Sequence, residues 1–369
     1  MNKTLQIKDL KNSLKKIKEK KALIITGYRS FNKSGAKKFF KPFFKNKNFY
    51  YYYKKFSYPD IKELINLIKK IKEIKPKYIL AIGGGAVMDL SKISNYLIFS
   101  KDIKKDIIKS NYKYKKRFSK LVAIPTTAGS GAEVTSNAVI YINKKKYSVE
   151  NNLIRPNKFY LIPNFVQNNN FKLKSSSGFD AIAQGVESLF SLRSNKKSYN
   201  FAINSLKLSL VNFPNYLKNP NTENSKNMIK AANLSGEAIN ISKTTAPHAL
   251  SYPFTSYFGI NHGHAVAITF KEFLNYNFNN KDFAKSNFDL DKRYRILFKL
   301  TQTQNIFELT KFFEDIDKKA KIKVNFSDLN INISKSIDLV LKNVNIQRLS
   351  NNPVNLDYNS IRSLLLKKK

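Results

Sequence analysis

"KYILAIGGGAVMDLSKISNYLI", residues 77–98, decides the fold. It opens with a short apolar run, passes through three consecutive glycines and continues with apolar residues at helical spacing. That is a buried strand, a tight turn and a helix. The same alternation extends in both directions. "KALIITG" (21–27) is an apolar strand ending in Gly, and "NFYYYYKKFSYP" (48–59) is an aromatic strand stopped by Pro59. "DIKELINLIKKIKEIKP" (60–76) places Ile61, Leu64, Ile65, Ile68 and Ile71 on one helical face, with Asp60 as its N-cap. "KLVAIPTTAGSGAE" (120–133) is a further strand breaking into a loop of small residues. Strands alternating with helices predict a parallel α/β sheet.

Beyond about residue 170 the pattern changes. "KSYNFAINSLKLSLVNFPNYL", "SKNMIKAANLSGEAINI" and "SKSIDLVLKNV" all have helical spacing, with little strand signal among them. The expected organisation is an α/β domain over 1–168 and a helical domain over 169–369, with the polar "NFVQNNNF" (164–171) as the hinge. The terminal "LLLKKK" is expected to be a fraying helix end.

Composition narrows the class. The chain has 369 residues, 42% of them hydrophobic and 13% aromatic, enough for a sizeable core. With no Cys, disulfides and thiolate metal sites are excluded. The Lys-studded N-terminus has no apolar h-region, and no run approaches the roughly 18 apolar residues of a membrane span. A cytoplasmic protein with no membrane partner is expected. The net charge of +42 is spread along the whole chain and accompanied by abundant Asn, Ile, Phe and Tyr, a mixture expected of an AT-rich coding sequence. "KKFFKPFFKNKNFYYYYKKF" (37–56) superficially offers the basic-aromatic surface of a nucleic-acid binder. It is better explained as helix plus core strand, so no nucleic-acid partner is expected.

Chemistry concentrates in four places. Gly83, Gly84 and Gly85 open a helix after a strand, where free N–H groups and the helix dipole favour a phosphate, although the spacing is not G-x-G-x-x-G. Thr126 and Thr127 offer hydroxyls, and Gly129, Ser130 and Gly131 offer backbone N–H groups, after the next strand, at the end where open α/β sheets bind ligands. In "SGFDAIAQGVESLFS" (177–191), Asp180 and Gln184 share a helix face at i and i+4. Finally, all three histidines of the chain lie in "TTAPHALSYPFTSYFGINHGHAVAI" (244–268). His248 begins an expected helix and His262 is expected in the loop before Gly263. Asp, Gln and two His would make a set for a divalent transition metal, but spacing alone does not choose between a metal and packing.

In order, "GGGAVMDLSK", "IPTTAGSGAEVT", "FDAIAQGVES" and "HALSYPFTSYFGINHGHAVAI" resemble the successive motifs of the iron-containing (group III) alcohol dehydrogenases. The resemblance runs from about residue 21 to the C-terminus. It implies the fold shared with dehydroquinate synthase: an N-terminal α/β dinucleotide-binding domain and an all-helical C-terminal domain. It further implies a metal held by Asp180, Gln184, His248 and His262, with Gln184 standing where most members carry His. An amide oxygen is a harder donor than imidazole, which favours Fe²⁺ over Zn²⁺. Tyr252 replaces a further His found in many members, and Asn261 replaces a Pro.

For the cofactor, the resemblance implies contacts from Gly27, Gly83, Gly84, Gly85, Asp89, Thr126, Thr127, Ser130, Thr135 and Lys146. NADPH is favoured over NADH. Gly27 stands where NAD-preferring relatives often place Asp, and Arg29 is near enough to pair with a 2′-phosphate. "INISKTTAPHALSYPFTSYFGINHGHAVAI" (239–268) is most similar to the phosphonoacetaldehyde reductase branch, which implies reduction of phosphonoacetaldehyde to 2-hydroxyethylphosphonate in phosphonate biosynthesis. The substrate would then be a small anionic aldehyde. Ser242, Lys243, Thr244 and Thr245 are candidates for its phosphonate, and His264 and Tyr252 for catalytic contacts to the reacting oxygen. A homodimer is the assembly common in the family.

Overall fold

The computed structural model describes residues 7–17, 20–43 and 48–368. Residues 44–47 of the basic-aromatic stretch and the terminal Lys369 therefore lie outside the described residues. The chain divides into two compact units, Met1–Asn169 with Pro220–Ile229, and Asn170–Asn219 with Lys230–Lys369. The division falls inside 164–171. The short return of 220–229 to the first unit departs from a clean two-block split.

The first unit is built on a five-stranded parallel sheet of β1 (Ala22–Gly27), β2 (Phe49–Lys54), β3 (Tyr78–Gly83), β4 (Lys120–Pro125) and β7 (Lys158–Phe159), in the order β2-β1-β3-β4-β7. Central strands such as "ALIITG" and "YILAIG" are buried almost throughout, as strands covered on both faces must be. The edge strand "FYYYYK" instead alternates, which suits a strand half turned to solvent. Two of its tyrosines, Tyr51 and Tyr53, stack on each other at 5.9 Å. In the helical half of the basic-aromatic stretch, Phe40 is fully buried against Phe31 and Phe165.

The chain builds β1 and β2 in one direction and then returns to place β3 on the other side of β1. At such a switch the connections leave the two strand ends on opposite faces, opening a crevice at their C-terminal ends. Gly27 and Gly83 are the last residues of those two strands. The helix Ile61–Ile74 leads into β3, and its cap is the expected one, the Asp60 carboxylate accepting from Lys62 N at 2.8 Å.

One pair of strands was not anticipated. β5 (Asn137–Ile142) and β6 (Lys145–Glu150) form an antiparallel hairpin packed on the helix Gly85–Leu97. Its turn residues Asn143 and Lys144 both take positive φ, at 51° and 63°. This is the conformation of a two-residue hairpin turn, adopted here without the glycine that usually announces it.

The second unit is helical. The Phe171–Phe190 helix is buried along nearly its whole circumference, packing against the Lys196–Lys218 and His262–Asn279 helices. The last described residue is anchored: the Lys368 side chain, just past the Tyr358–Lys367 helix, is largely buried and bonds the Ile268 carbonyl and the Glu272 carboxylate.

Candidate functional site

Three separate segments of the helical unit converge on one point. Asp180 comes from the middle of the Phe171–Phe190 helix, His248 from the first turn of the Ala246–Phe258 helix, and His262 from the first position of the His262–Asn279 helix. One donor atom from each lies within 4.8 Å of the others. His262 is thus helical, not in a loop. Gly263 after it is no turn residue either. A Cβ there would stand 1.9 Å from the Ser176 carbonyl and 2.8 Å from Asp180 Cβ. The glycine lets the two helices touch backbone to backbone, which brings His262 beside Asp180. The turn residue is Gly259, the left-handed C-cap of the preceding helix at φ 68°.

Glu187, seven residues after Asp180 on the same helix, organises the group. Its Oε1 accepts from Thr245 N (3.0 Å), Thr245 Oγ1 (3.0 Å) and His248 N (3.3 Å), and its Oε2 accepts from His248 Nδ1. A buried carboxylate thereby satisfies the open N–H groups of a helix start and complements its dipole. It also fixes the imidazole. With its Nδ1 proton on Glu187, His248 turns Nε2 toward Asp180 Oδ1 at 3.1 Å. Two acceptors so close require a proton or a cation between them. Burial alone pulls the His248 pKa down, but Glu187 and Asp180 outweigh it and raise it to about 9. In the same way, Ser251 donates to the His248 carbonyl (2.8 Å), so its oxygen is placed to accept from His262 Nδ1 (3.4 Å).

Oxygen and imidazole donors, each backed by a hydrogen bond, suit a borderline divalent metal. Gln184 is oriented differently. Its Nε2 donates to Asp180 Oδ2 (3.3 Å), while its Oε1 lies 2.9 Å from Ser235 Oγ. The amide oxygen therefore faces Ser235 rather than the three-residue group. Ser235 Oγ is also 2.9 Å from the Ala232 carbonyl, and one hydroxyl proton serves one acceptor at a time. If it goes to Ala232, Ser235 can accept from the amide nitrogen, and a half-turn of the amide brings the oxygen to Asp180. The residues fit a cation in that second orientation.

Tyr252 is buried with its ring stacked on His262 at 6.1 Å between centroids. Burial pushes its phenol pKa up, against a guanidinium hydrogen bond from Arg348. His264 turns Nε2 to the Lys323 carbonyl at 2.6 Å and is not part of the three-residue group. The Thr245 hydroxyl is occupied by Glu187, which makes it a support of His248. Asn351 Nδ2 bonds the carbonyls of Ser242 (2.8 Å) and Thr244 (3.0 Å), and Lys243 between them takes a left-handed φ of 64°.

In the α/β unit, Gly84 caps the Gly85–Leu97 helix in extended conformation. A Cβ on Gly84 would come 3.2 Å from Thr127 Oγ1, and one on Gly85 would come 3.0 Å from Ser130 Oγ. The two loops after β3 and β4 therefore meet face to face because the glycines have no side chains. Thr126 is held beside them, its N donating to the Gly83 carbonyl (3.0 Å) and its O accepting from Asn169 (2.7 Å). Its buried hydroxyl has no partner among the described residues. An orphan donor at the C-terminal edge of a parallel sheet, next to a helix N-terminus lacking side chains, fits a phosphate-bearing cofactor.

Thr135, by contrast, is buried and accepts from Lys92 Nζ at 2.8 Å, so it supports the unit's interior. Asp89 is raised to about 6 by burial, against Lys92, the Val139 amide and Lys146. Gly27 ends β1, and Arg29 beyond it is exposed.

Residues 3–163 match the family model described as iron-containing alcohol dehydrogenase, and residues 174–368 match that of the C-terminal region of the Fe-containing alcohol dehydrogenase family. The chain belongs to the iron-containing alcohol dehydrogenase family. Phosphonoacetaldehyde reductase of Streptomyces viridochromogenes is 29% identical over 220 residues, 57% of this chain and 56% of that protein. The 4-hydroxybutyrate dehydrogenase of Clostridium kluyveri is 26% identical over 219 residues, 58% of each. The matched stretch thus spans little more than half the length of these relatives. Among solved structures, sulfoacetaldehyde reductase from Bifidobacterium kashiwanohense in complex with NAD⁺ superposes with a TM-score of 0.84 at 23% identity, covering 98% of this chain and 93% of that one. An iron-containing alcohol dehydrogenase from Thermotoga maritima gives 0.82 at 22%, covering 99% and 96%. The fold is that of iron-containing alcohol dehydrogenases.

Within this family framework, sequence reasoning missed Glu187, Ser235, Arg348 and Asn351. Glu187 had a signal, because i+7 after Asp180 lies on the same helix face. Arg348 and Asn351 had none. They reach the site region through contacts across about a hundred residues of chain.

Proposed function

We propose that this protein reduces short aldehydes bearing an anionic end to the primary alcohols, with NADPH as hydride donor, and that phosphonoacetaldehyde, giving 2-hydroxyethylphosphonate in phosphonate biosynthesis, is its substrate. The observation that carries the proposal is the convergence of Asp180, His248 and His262, backed by Glu187. In balance, aldehyde, NADPH and one proton give alcohol and NADP⁺. Asp180, His248, His262 and, through its amide oxygen, Gln184 would hold an Fe²⁺ ion, which when bound supplies Lewis-acid polarisation of the carbonyl.

The chain's own residues do the rest. Glu187 and Ser251 hold each imidazole so that Nε2 is the lone pair presented. Tyr252 closes one side of His262 with a flat ring and limits water there. The glycine turn after β3 and the hydroxyls of Thr126, Thr127 and Ser130 would seat the cofactor. Gly27, with Arg29 near it, leaves room for a 2′-phosphate.

Phosphonoacetaldehyde, 4-hydroxybutyrate and sulfoacetaldehyde, after which three of the relatives are named, share a chemistry: a short chain with an oxygen-bearing carbon at one end and a phosphonate, carboxylate or sulfonate at the other. That common anion supports the substrate class more than any single name does. The test is oxidation of NADPH and of NADH by Fe²⁺-loaded protein with phosphonoacetaldehyde and with acetaldehyde. Turnover of the phosphonate in strong preference, abolished by a chelator, is the expected result. Equal rates with both aldehydes would leave a general aldehyde reductase, and no turnover of either would sink the reading.

A further inference from the structure

Arg348 is buried, at 6% exposure, in a helical unit where a guanidinium is costly to desolvate. It sits on the short helix Ile346–Leu349, and the backbone there is tied down on both sides. Asn345 caps that helix, its Oδ1 accepting from Arg348 N at 2.8 Å, and its own N–H donates to the Ala249 carbonyl at 3.4 Å. On the other side, Asn351 is pinned to the carbonyls of Ser242 and Thr244. Both anchors lie at the start of the helix that carries His248 and Tyr252.

The guanidinium donates to the Tyr252 phenol, and that phenol is near enough to Asp180 and Glu187 to feel both charges. The Tyr252 ring in turn stacks on His262. A fixed cation is therefore held one side chain away from the three-residue donor group. Lys243, the cation favoured by sequence, lies on a backbone turn and carries a long flexible stem. Arg348 presents a planar fork of donors whose spacing matches paired oxygens.

We propose that Arg348, beside Tyr252, is the specificity-determining residue that binds the anionic group of the substrate. An oxyanion on the fork and a carbonyl at the donor group fix the substrate at two points, so chain length between them sets which aldehydes react well. The proposal rests on the aldehyde-reductase reading.

The test compares Arg348→Gln and Arg348→Lys with the parent in Fe²⁺-loaded form, measuring kcat and KM for phosphonoacetaldehyde and for neutral propionaldehyde. Arg362→Gln, which alters an exposed surface pair with Asp338, is the control. We expect the ratio of kcat/KM for the anionic over the neutral aldehyde to fall about 30-fold or more in Arg348→Gln, mostly through KM. Arg348→Lys should recover part of it, and the control should not move it. A parallel fall for both aldehydes, leaving the ratio unchanged, would mean that Arg348 only balances Asp180 and Glu187, and would overturn the proposal.

A binding arm separates this from failure of the reductase reading. In metal-free protein, 2-hydroxyethylphosphonate should raise the melting temperature of the parent and of Arg362→Gln but not of Arg348→Gln. That result would support the anion site even in a protein that turns over no aldehyde. Equal protection of parent and Arg348→Gln would overturn it whatever the kinetics show.

Discussion

Glu187 shows what a single residue contributes at this site. Four donors end on one buried carboxylate, and through it the position of a helix start and the tautomer of His248 are set together. Glu187→Gln keeps the shape but puts an amide where an acceptor pair is needed. Removing such a support of a metal ligand typically costs 10–100-fold in metal affinity, and we expect a loss of that order for Fe²⁺ or Zn²⁺. Competition with a chromophoric chelator measures it, and unchanged affinity would remove Glu187 from the proposed centre. Gly263 is the complementary case, a residue defined by what it lacks. Gly263→Ala drives a methyl into the Ser176 carbonyl at 1.9 Å, with backbone on both sides and little room to yield. A loss of about 3 kcal/mol or more in unfolding free energy is expected, together with weaker metal binding. A variant of unchanged stability would mean that the two helices can part without cost. The sequence pointed to His262 as a ligand but not to its place on a helix, nor to the helix contact that Gly263 makes. A glycine beside a histidine looks the same whether it makes a turn or a helix contact.

At the scale of elements, the strands and helices of the α/β unit are local features, and local signals announce them. "KALIITG", "KYILAIGGG" and "KLVAIP" are continuous apolar runs because each strand is buried on both faces. The β5–β6 hairpin escaped because Asn143-Lys144 carries no glycine and its second strand, "KKYSVE", is largely polar. What no local signal conveys is how buried charges are balanced between elements. Lys271 on the His262–Asn279 helix meets Asp317 on the Ile306–Ala320 helix at 2.8 Å, both largely buried. Burial pushes the Asp317 carboxyl up to about 6, against the pull of Lys271, and its Oδ1 has no partner among the described residues. A carboxyl raised in the folded state holds its proton more tightly there than in the unfolded chain. Its stabilising contribution is complete below the unfolded value near 4 and is lost as pH rises through about 6. The unfolding free energy of the parent minus that of Asp317→Asn should therefore fall by about 1–3 kcal/mol between pH 4 and pH 7. Urea titrations across that range measure it. A flat or rising difference would show that Lys271 outweighs burial.

For the whole molecule, the net charge of +42 is the feature that composition displays most loudly and explains least. None of the helices among the described residues is long and apolar enough to cross a membrane. In the basic-aromatic stretch that imitates a nucleic-acid surface, Phe40 and Phe49 are buried, but the strand expected in the core is the edge of the sheet and leaves Tyr51, Tyr53 and Phe56 exposed. What a diffuse positive field can still do is draw in anions, over a range of about 10 Å at 0.1 M salt. The field and the Arg348 contact act on the same substrate but depend differently on salt. Steering raises encounter rates and is screened, whereas a buried guanidinium is screened much less. We expect kcat/KM for phosphonoacetaldehyde to fall several-fold between 20 and 300 mM NaCl, with kcat unchanged and the propionaldehyde rates flat. In Arg348→Gln the same salt slope should persist on a lower line, since the field remains when the contact is gone. A slope that vanishes with Arg348 would mean that one side chain, and not the charge of the whole chain, gathers the substrate. A slope equal for both aldehydes would mean that salt acts on the protein rather than on the encounter.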